Sequence, residues 1–129
     1  TIDVAGFQRK LTPKNVAKNI SAVRKAVVSS MDSKKLLKQL KPDIVVVSNH
    51  GGRVETEEGS TADFLAKYAV ELSDCTGEIW VDGGIRKTRD VQVAKKLGAK
   101  KCLVARPWIS RLVCGGIPAM EEAVRQFFC

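Results

Sequence analysis

The chain has 129 residues, 44% of them hydrophobic and 28% charged, and this balance predicts one globular domain over residues 1–129. No apolar run approaches the roughly 20 residues that a membrane-spanning helix needs, so we expect no membrane partner. The net charge of +8 is spread over the outer faces of predicted helices, and aromatic residues make up only 5%. We therefore do not expect nucleic acid as a partner.

The cysteine and histidine content argues against a metal site. Cys75, Cys102, Cys114 and Cys129 show no C-x-x-C spacing, and His50 is the only histidine. Zinc sites draw on closely spaced cysteines and histidines, so no metal is expected. A reducing, cytoplasmic setting is the default expectation for such a chain.

The first 41 residues predict helices, with one ambiguous segment. Thr12 and Pro13 begin a helix whose apolar residues recur at helical spacing. Residues 26–30 are compatible either with the end of that helix or with a short strand. A second helix, capped by Asp32 or Ser33, ends before the next proline.

From residue 42 onwards, strands and helices alternate. Apolar runs predict three strands, over residues 44–48, 79–82 and 102–105. Helices follow, one of them capped by Thr88 and the last opened by Pro118. This alternation predicts an α/β fold with a parallel sheet and right-handed crossovers.

Two of the predicted strand ends carry the residues of a phosphate site. Gly83 and Gly84 let backbone N–H groups approach an anion, and Arg86 and Arg106 supply charge and forked donors. In barrels of alternating strands and helices, phosphate commonly lies at the loops after the last two strands. A tight turn with surface arginines is the alternative, and the presence of both arginines at strand ends favours phosphate.

A histidine and an arginine follow the first of these strands, where residues 48–53 read S-N-H-G-G-R. An imidazole takes up a proton near neutral pH, and a guanidinium holds a carboxylate through two hydrogen bonds. Asp82, at the next strand end, is expected to orient or charge-stabilise the His50 imidazole. A purely structural histidine is the alternative, and the neighbouring glycines and Arg53 favour a functional one.

Together these motifs resemble the C-terminal half of the FMN-dependent 2-hydroxy acid oxidases and dehydrogenases. The resemblance rests on S-N-H-G-G-R at residues 48–53, D-G-G-I-R at 82–86 and A-R-P at 105–107, and it covers residues 42–128. It implies parallel β/α units forming the C-terminal half of a TIM-type (β/α)8 barrel, with FMN as the cofactor. The implied reaction is oxidation of a small-molecule 2-hydroxy acid to a 2-oxo acid.

The resemblance also implies roles for individual residues. His50 is expected to be the active-site base, with Asp82 beside it, and Arg53 is expected to bind the substrate carboxylate. The serine that matches Ser48 contacts the flavin. The segments that match the family's grip on the FMN phosphate and ribityl chain contain Asp82, Gly83, Gly84, Ile85, Arg86, Ala105 and Arg106.

The chain departs from the family pattern in three ways. Ala105 stands where the family has glycine, and its methyl group crowds an approaching phosphate. The lysine that faces the flavin ring in the family is either Lys25, shifted by one position, or absent. A complete barrel needs about 250 residues, so we expect a homo-oligomer, a complementary half-barrel, or origin in a longer chain. A catalytically inactive half-barrel that binds phosphate, FMN or a partner protein is the alternative.

Overall fold

Four parallel strands form a single sheet in the computed structural model, which describes residues 25–54, 56 and 58–128. The strands lie side by side in chain order. Their bounds are β1 Lys25–Val28, β2 Ile44–Val47, β3 Glu78–Asp82 and β4 Lys101–Leu103. Because all four point the same way, the carboxyl ends of β2, β3 and β4 meet at one edge of the sheet, as the three predicted strand ends required.

Helices connect the strands and follow the last one. A 3₁₀ turn at Met31–Ser33 leads into α1 (Lys34–Leu40), and the later helices are α2 (Thr61–Ser73), α3 (Thr88–Lys96) and α4 (Arg106–Phe128). Gly116 interrupts α4 with φ 68° and ψ −167°, a conformation open essentially to glycine alone. The second part of α4 follows this break and contains Pro118, the residue predicted to open the last helix. No helix of the described residues is long and apolar enough to cross a membrane.

The ambiguous segment after residue 25 is a strand, and the helix predicted to begin at Thr12 lies outside the described residues. The cap predicted for α3 is wrong, because Thr88 is already helical and Lys87 precedes it as the cap residue. The hydroxyl of Thr88 donates instead to the carbonyl of Phe127. The threonine hydroxyl therefore does not mark the start of this helix, where the Asp90 carboxylate accepts from the N–H of the cap residue.

The two faces of the sheet pack differently. On one face, alternate strand residues such as Val45 and Val81 form the main core with α2 residues such as Leu65 and Leu72. The opposite face carries a smaller apolar cluster that contains no helix residue, formed by Val27, Ile44, Val46, Trp80 and Leu103. A sheet with helices on one face and an apolar second face is the arrangement of a barrel wall, in which the second face lines the interior.

The winding of the sheet supports the same architecture. Each strand is the neighbour of the next in sequence, with no reversal of order. A doubly wound sheet would contain a switch point where the order reverses, whereas a (β/α)8 barrel adds each strand beside the last. The described sheet thus has the strand order of four consecutive strands of a barrel.

The positive charge lies on the outside of the fold. Lys34 is half-buried and pairs with Glu71 across α1 and α2. The other lysines predicted on outer helix faces and turns are exposed: Lys35, Lys38, Lys41, Lys95, Lys96, Lys100 and Lys101.

Candidate functional site

A buried hydrogen bond joins the ends of β2 and β3. Ser48 follows β2, is 3% exposed, and donates its hydroxyl to Oδ2 of Asp82 at 2.9 Å. The same hydroxyl oxygen accepts from the backbone N–H of His50 at 3.0 Å. Pairing of Val47 with Val81 places the two strand ends level with each other, which is why these side chains meet. Ser48 thus connects the Asp82 carboxylate to the backbone of the histidine.

The histidine stands at the start of a tight turn formed by residues 50–53. His50, Gly51 and Gly52 all have positive φ, and the carbonyl of Asn49 accepts from the N–H groups of Gly52 and Val54. A positive φ is uncommon for a histidine, so the local hydrogen bonds have to hold it. The imidazole is exposed, and so is the Arg53 guanidinium. Neither makes a hydrogen bond to another side chain in the part of the chain that the structure describes, so both are accessible to a ligand.

The predicted contact between Asp82 and the His50 imidazole is not formed. Oδ2 of Asp82 accepts a hydrogen bond from the Ser48 hydroxyl instead. That hydroxyl in turn accepts from the backbone N–H of His50. The adjacent strand ends bring Asp82 close to the backbone of His50, through Ser48, rather than to its ring. The positions of residues 48, 50 and 82 at one sheet edge nevertheless agree with the expectation.

The glycine pair after β3 shows a crowded position followed by an open one. A Cβ at Gly83 would lie 2.6 Å from Oδ1 of Asn49, and the Gly83 carbonyl accepts from the hydroxyl of Thr61 at 3.3 Å. A Cβ at Gly84 would meet nothing within 4 Å. The backbone at Gly84 is therefore open to a ligand. Asn49 and Thr61 are site residues that sequence reasoning missed, although a polar residue at a strand end and a helix start were both available signals.

A cleft of about 530 Å³ contains four cationic side chains, which we call the cationic cleft. Arg86 and Lys87 come from the β3–α3 loop, and Arg106 and Arg111 come from the first part of α4. None of the described residues that line it is acidic. The other lining residues are Thr88, Pro107, Trp108, Ser110, Ala123, Gln126 and Phe127. Lys87 and Arg111 were not predicted, because neither belongs to a motif.

A ring contact and a helix cap support the cationic cleft. The Trp108 and Phe127 rings meet edge to face, with their centroids 5.0 Å apart, and so join the two parts of α4. Oδ2 of Asp90 accepts from the backbone N–H groups of Arg86 and Lys87, both at 2.8 Å. These N–H donors lower the pKa of the Asp90 carboxyl below its usual value. Asp90 thereby fixes the backbone from which two of the four cations project.

Arg106 connects the cationic cleft to the histidine turn. Its Nη2 donates to the carbonyl of Gly51, the residue after His50. Arg86 donates Nη1 to the carbonyl of the buried Ile85 at 3.0 Å. Ala105, before α4, is exposed. The structure therefore brings Arg86 and Arg106 together and places Ser48, Asp82 and the His50 backbone together. The cleft lining does not include the following predicted site residues: Ser48, His50, Arg53, Asp82, Gly83 and Gly84.

Lys25 does not lie at this edge of the sheet. It begins β1 and pairs with Ile44 at the amino end of β2, and its ammonium nitrogen lies 4.6 Å from the centroid of the Trp80 ring. The carboxyl end of β1 continues as Val28, Ser29 and Ser30. Lys25 therefore lies against the apolar cluster of the second face, and its match to the family lysine stays a prediction.

Comparison with known proteins decides the family. The sequence pattern of the FMN-dependent dehydrogenase family matches residues 13–127. The chain belongs to this family. The match begins ahead of the motif-bearing segment and includes residues 13–41, whose sequence alone carries no recognisable motif of the family.

Relatives with known activities match a short part of their own length. The chain is 34% identical over 106 residues to 2-hydroxyacid oxidase 1 of Mus musculus, covering 82% of this chain and 28% of the relative. It is 35% identical over 82 residues to an L-lactate oxidase of Roseobacter sp. (strain GAI101), covering 64% and 22%. The chain thus spans about a quarter of the length of the curated relatives it matches.

Solved structures of flavoenzymes share the fold. A flavocytochrome b2 variant with sulfite bound superimposes with a TM-score of 0.71 at 28% identity, over 92% of this chain and 33% of the other. A mandelate oxidase variant with (S)-mandelic acid gives a TM-score of 0.74 at 26% identity, over 88% and 34%. These matches and the parallel sheet confirm the predicted fold class, in the form of a partial α/β barrel.

Proposed function

We propose that the chain forms the phosphate grip and the substrate-carboxylate corner of an FMN-dependent 2-hydroxy acid oxidoreductase. The observation that carries the proposal is the meeting of three strand ends at one edge, with a cationic cleft beside the His50 turn. Membership of the FMN-dependent dehydrogenase family supplies the class of reaction. Because the chain spans about a quarter of its relatives, the activity of the whole protein is part of the proposal.

The residues present fit the phosphate end of FMN. Arg86 and Arg106 face one cleft with two further cations, and phosphate oxygens accept charge-assisted hydrogen bonds from such groups. The backbone at Gly84 is open, so a ligand can approach it closely. In this proposal Ser48, Asp82, Gly83, Ile85 and Ala105 complete the loops around the ribityl chain and the flavin edge. These residues, with Gly84, Arg86 and Arg106, are the proposed contacts of the cofactor.

His50 and Arg53 act on the substrate in this proposal. The Arg53 guanidinium binds the carboxylate of a small 2-hydroxy acid through paired hydrogen bonds. An imidazole nitrogen of His50 takes a proton from the bound substrate, and Asp82 and Ser48 hold the backbone that presents the ring. FMN, when bound, accepts the two reducing equivalents.

The visible spectrum and native mass of the chain, with and without added FMN, test this proposal. We expect a flavin absorbance that stays with the protein through gel filtration, and turnover of a 2-hydroxy acid by the loaded protein. His50→Gln should retain the flavin and lose turnover by about 10²-fold or more, the usual contribution of general acid–base catalysis. Bound flavin without any turnover would remove the enzymatic part of the proposal.

A catalytically inactive half-barrel that binds phosphate, FMN or a partner protein is the second candidate. Ala105, which is exposed and stands in place of the family's glycine, favours it. In this case FMN or phosphate binds while no 2-hydroxy acid is oxidised. The same spectrum and turnover assay separates the two candidates.

We also propose that the chain associates with a second copy or with a complementary half-barrel in a reducing, cytoplasmic compartment. The first part of α4 exposes Ile109, Leu112 and Val113 at helical spacing. An apolar stripe of this kind marks an interaction surface. Val113→Glu should shift the native mass towards the monomer, whereas Val93→Glu on α3 should not. An unchanged mass in both variants would contradict association through α4.

A further inference from the structure

One arginine belongs to two parts of the site that are otherwise separate. Arg106 lines the cationic cleft with Arg86, Lys87 and Arg111, and its Nη2 donates to the Gly51 carbonyl. The Gly51 position is packed against this guanidinium so closely that a Cβ there would lie 2.6 Å from Nη2. Among the described residues, this is the one hydrogen bond between α4 and the turn of residues 50–53.

The turn itself depends on few interactions. His50 donates its N–H to the Ser48 hydroxyl, and Gly52 and Val54 donate to the Asn49 carbonyl. All these bonds hold the turn from the side of β2. The contact with Arg106 therefore restrains the turn from the opposite side, next to the residue that presents the imidazole.

An anion in the cationic cleft competes with the Gly51 carbonyl for the same guanidinium. A phosphate dianion attracts the guanidinium through its full negative charge and accepts two parallel N–H bonds from it, whereas the Gly51 carbonyl is uncharged. The five N–H donors of an arginine lie in one rigid plane, so aligning two of them with a phosphate reorients the donor that contacts Gly51. Such a reorientation alters or releases the bond to Gly51.

We propose that Arg106 is a positioning residue that couples occupancy of the cationic cleft by a phosphate dianion to the conformation of the turn that carries His50. The ligand chemistry is a terminal phosphate, whether inorganic phosphate or the phosphate end of a cofactor. The inference rests on the proposed function for the role of His50 and for the binding of phosphate in the cleft. The coupling itself follows from the shared guanidinium.

The single histidine makes the coupling measurable. We would titrate inorganic phosphate into the 129-residue chain at constant pH and ionic strength and follow the His50 ring signals and the Gly51 and Gly52 amide signals by NMR. Sodium chloride at matched ionic strength is the reference. The wild-type chain should show His50 and Gly51 shifts that saturate together with those of residues lining the cationic cleft.

Four variants separate coupling from binding. Arg106→Gln should weaken phosphate binding on the order of tenfold, and at saturating phosphate it should lose the His50 shift. Arg111→Gln should weaken binding while keeping the full His50 shift at saturation. Arg89→Gln, which removes an arginine outside the cleft, should change neither quantity. Arg106→Lys is the conservative variant and keeps the test available if Arg106→Gln does not fold. It should still bind phosphate and lose most of the His50 shift, because an ammonium group lacks the planar pair of N–H donors.

Three results would overturn the proposal. They are a wild-type chain that binds phosphate without any His50 shift, an Arg106 variant that keeps the full shift, and a cleft that binds no phosphate. The probe is phosphate rather than FMN, so the NMR titration tests the coupling without requiring that the chain bind flavin. A chain that shows the coupling and fails to bind FMN would remove the flavoenzyme proposal alone.

Discussion

Ser48 is the residue on which the geometry of the strand ends depends most. It is buried, donates to Asp82 and accepts from the His50 N–H, so one hydroxyl fixes both neighbours. The sequence motif predicted a role for this serine from its place before the histidine. It did not predict the bond to Asp82, because that bond depends on the register between β2 and β3, which no local pattern encodes.

We expect Ser48→Ala to lower the free energy of unfolding by about 1–2 kcal/mol, because it leaves a carboxylate oxygen and a backbone N–H without their partner. Urea unfolding measures this. Ser73→Ala is the matched control, since the Ser73 hydroxyl is exposed and only donates to the Val70 carbonyl; we expect it to cost less than about 0.5 kcal/mol. Equal losses in both variants would contradict the structural role of Ser48.

Asp90 gives the stability of the chain an acid dependence. Its folded pKa lies below the ordinary 3.8 because the Arg86 and Lys87 N–H groups donate to the carboxylate. The stabilisation is therefore fully present above that pH and is lost as the pH falls through the folded value. Asp90→Asn should cost about 0.3–1 kcal/mol at neutral pH, and this difference from wild type should shrink in acid. Urea unfolding across the acid range checks this.

Asp74→Asn is the control for that measurement, since Asp74 is exposed and lies at the end of α2 rather than at a helix start. It should show no comparable loss at neutral pH. A difference between Asp90→Asn and wild type that stays constant as the pH falls would contradict the account of the carboxylate.

At the scale of elements, the buried stripe of α2 differs by one position from the stripe that spacing predicts. Helical spacing selects Ala62, Leu65, Ala69 and Leu72, whereas the structure buries Phe64, Leu65 and Leu72 and leaves Ala62 exposed. A periodic pattern defines a face to within about one residue, and the largest apolar side chain on that arc decides which way the helix turns.

Phe64→Ala should therefore destabilise the fold by about 3–5 kcal/mol, the usual cost of removing a buried aromatic ring. The Phe64 ring is fully buried, and its centroid lies 4.8 Å from that of Tyr68. Val70→Ala on the exposed side of the same helix should cost less than about 0.5 kcal/mol. Thermal or urea unfolding of the two variants compares them, and a larger loss for Val70→Ala would contradict the assigned face.

Strands were easier to predict than caps. Each predicted strand from residue 44 onwards is present, because a short apolar run that is rich in β-branched residues and followed by turn residues favours a buried strand. The start of α3 was misplaced, since Thr88 offers a hydroxyl while the carboxylate of Asp90 satisfies the free N–H groups from inside the helix. Competition between two capping side chains is decided by geometry that the sequence does not display.

At the scale of the molecule, the sequence predicted which strand ends converge and the structure adds how they are connected. Arg86 and Arg106 share a cleft, as the pattern of strand ends indicates. Among the described residues, the bond from Arg106 to Gly51 is what joins the His50 turn to that cleft. Lys87 and Arg111 escaped prediction because neither belongs to a motif and both depend on how α4 folds back over α3. Tertiary packing, rather than local sequence, creates that part of the site.

The account depends on the cationic cleft being a grip for the phosphate of FMN, and the dissociation constants of FMN and of riboflavin, which lacks the phosphate, test this most directly. Titration of each flavin into the 129-residue chain, followed by flavin fluorescence, should show FMN binding at least tenfold more tightly. Arg86→Gln and Arg106→Gln should each reduce that preference on the order of tenfold, and Arg89→Gln should leave it unchanged. Equal affinity for both flavins, or equal effects of all three substitutions, would contradict the account.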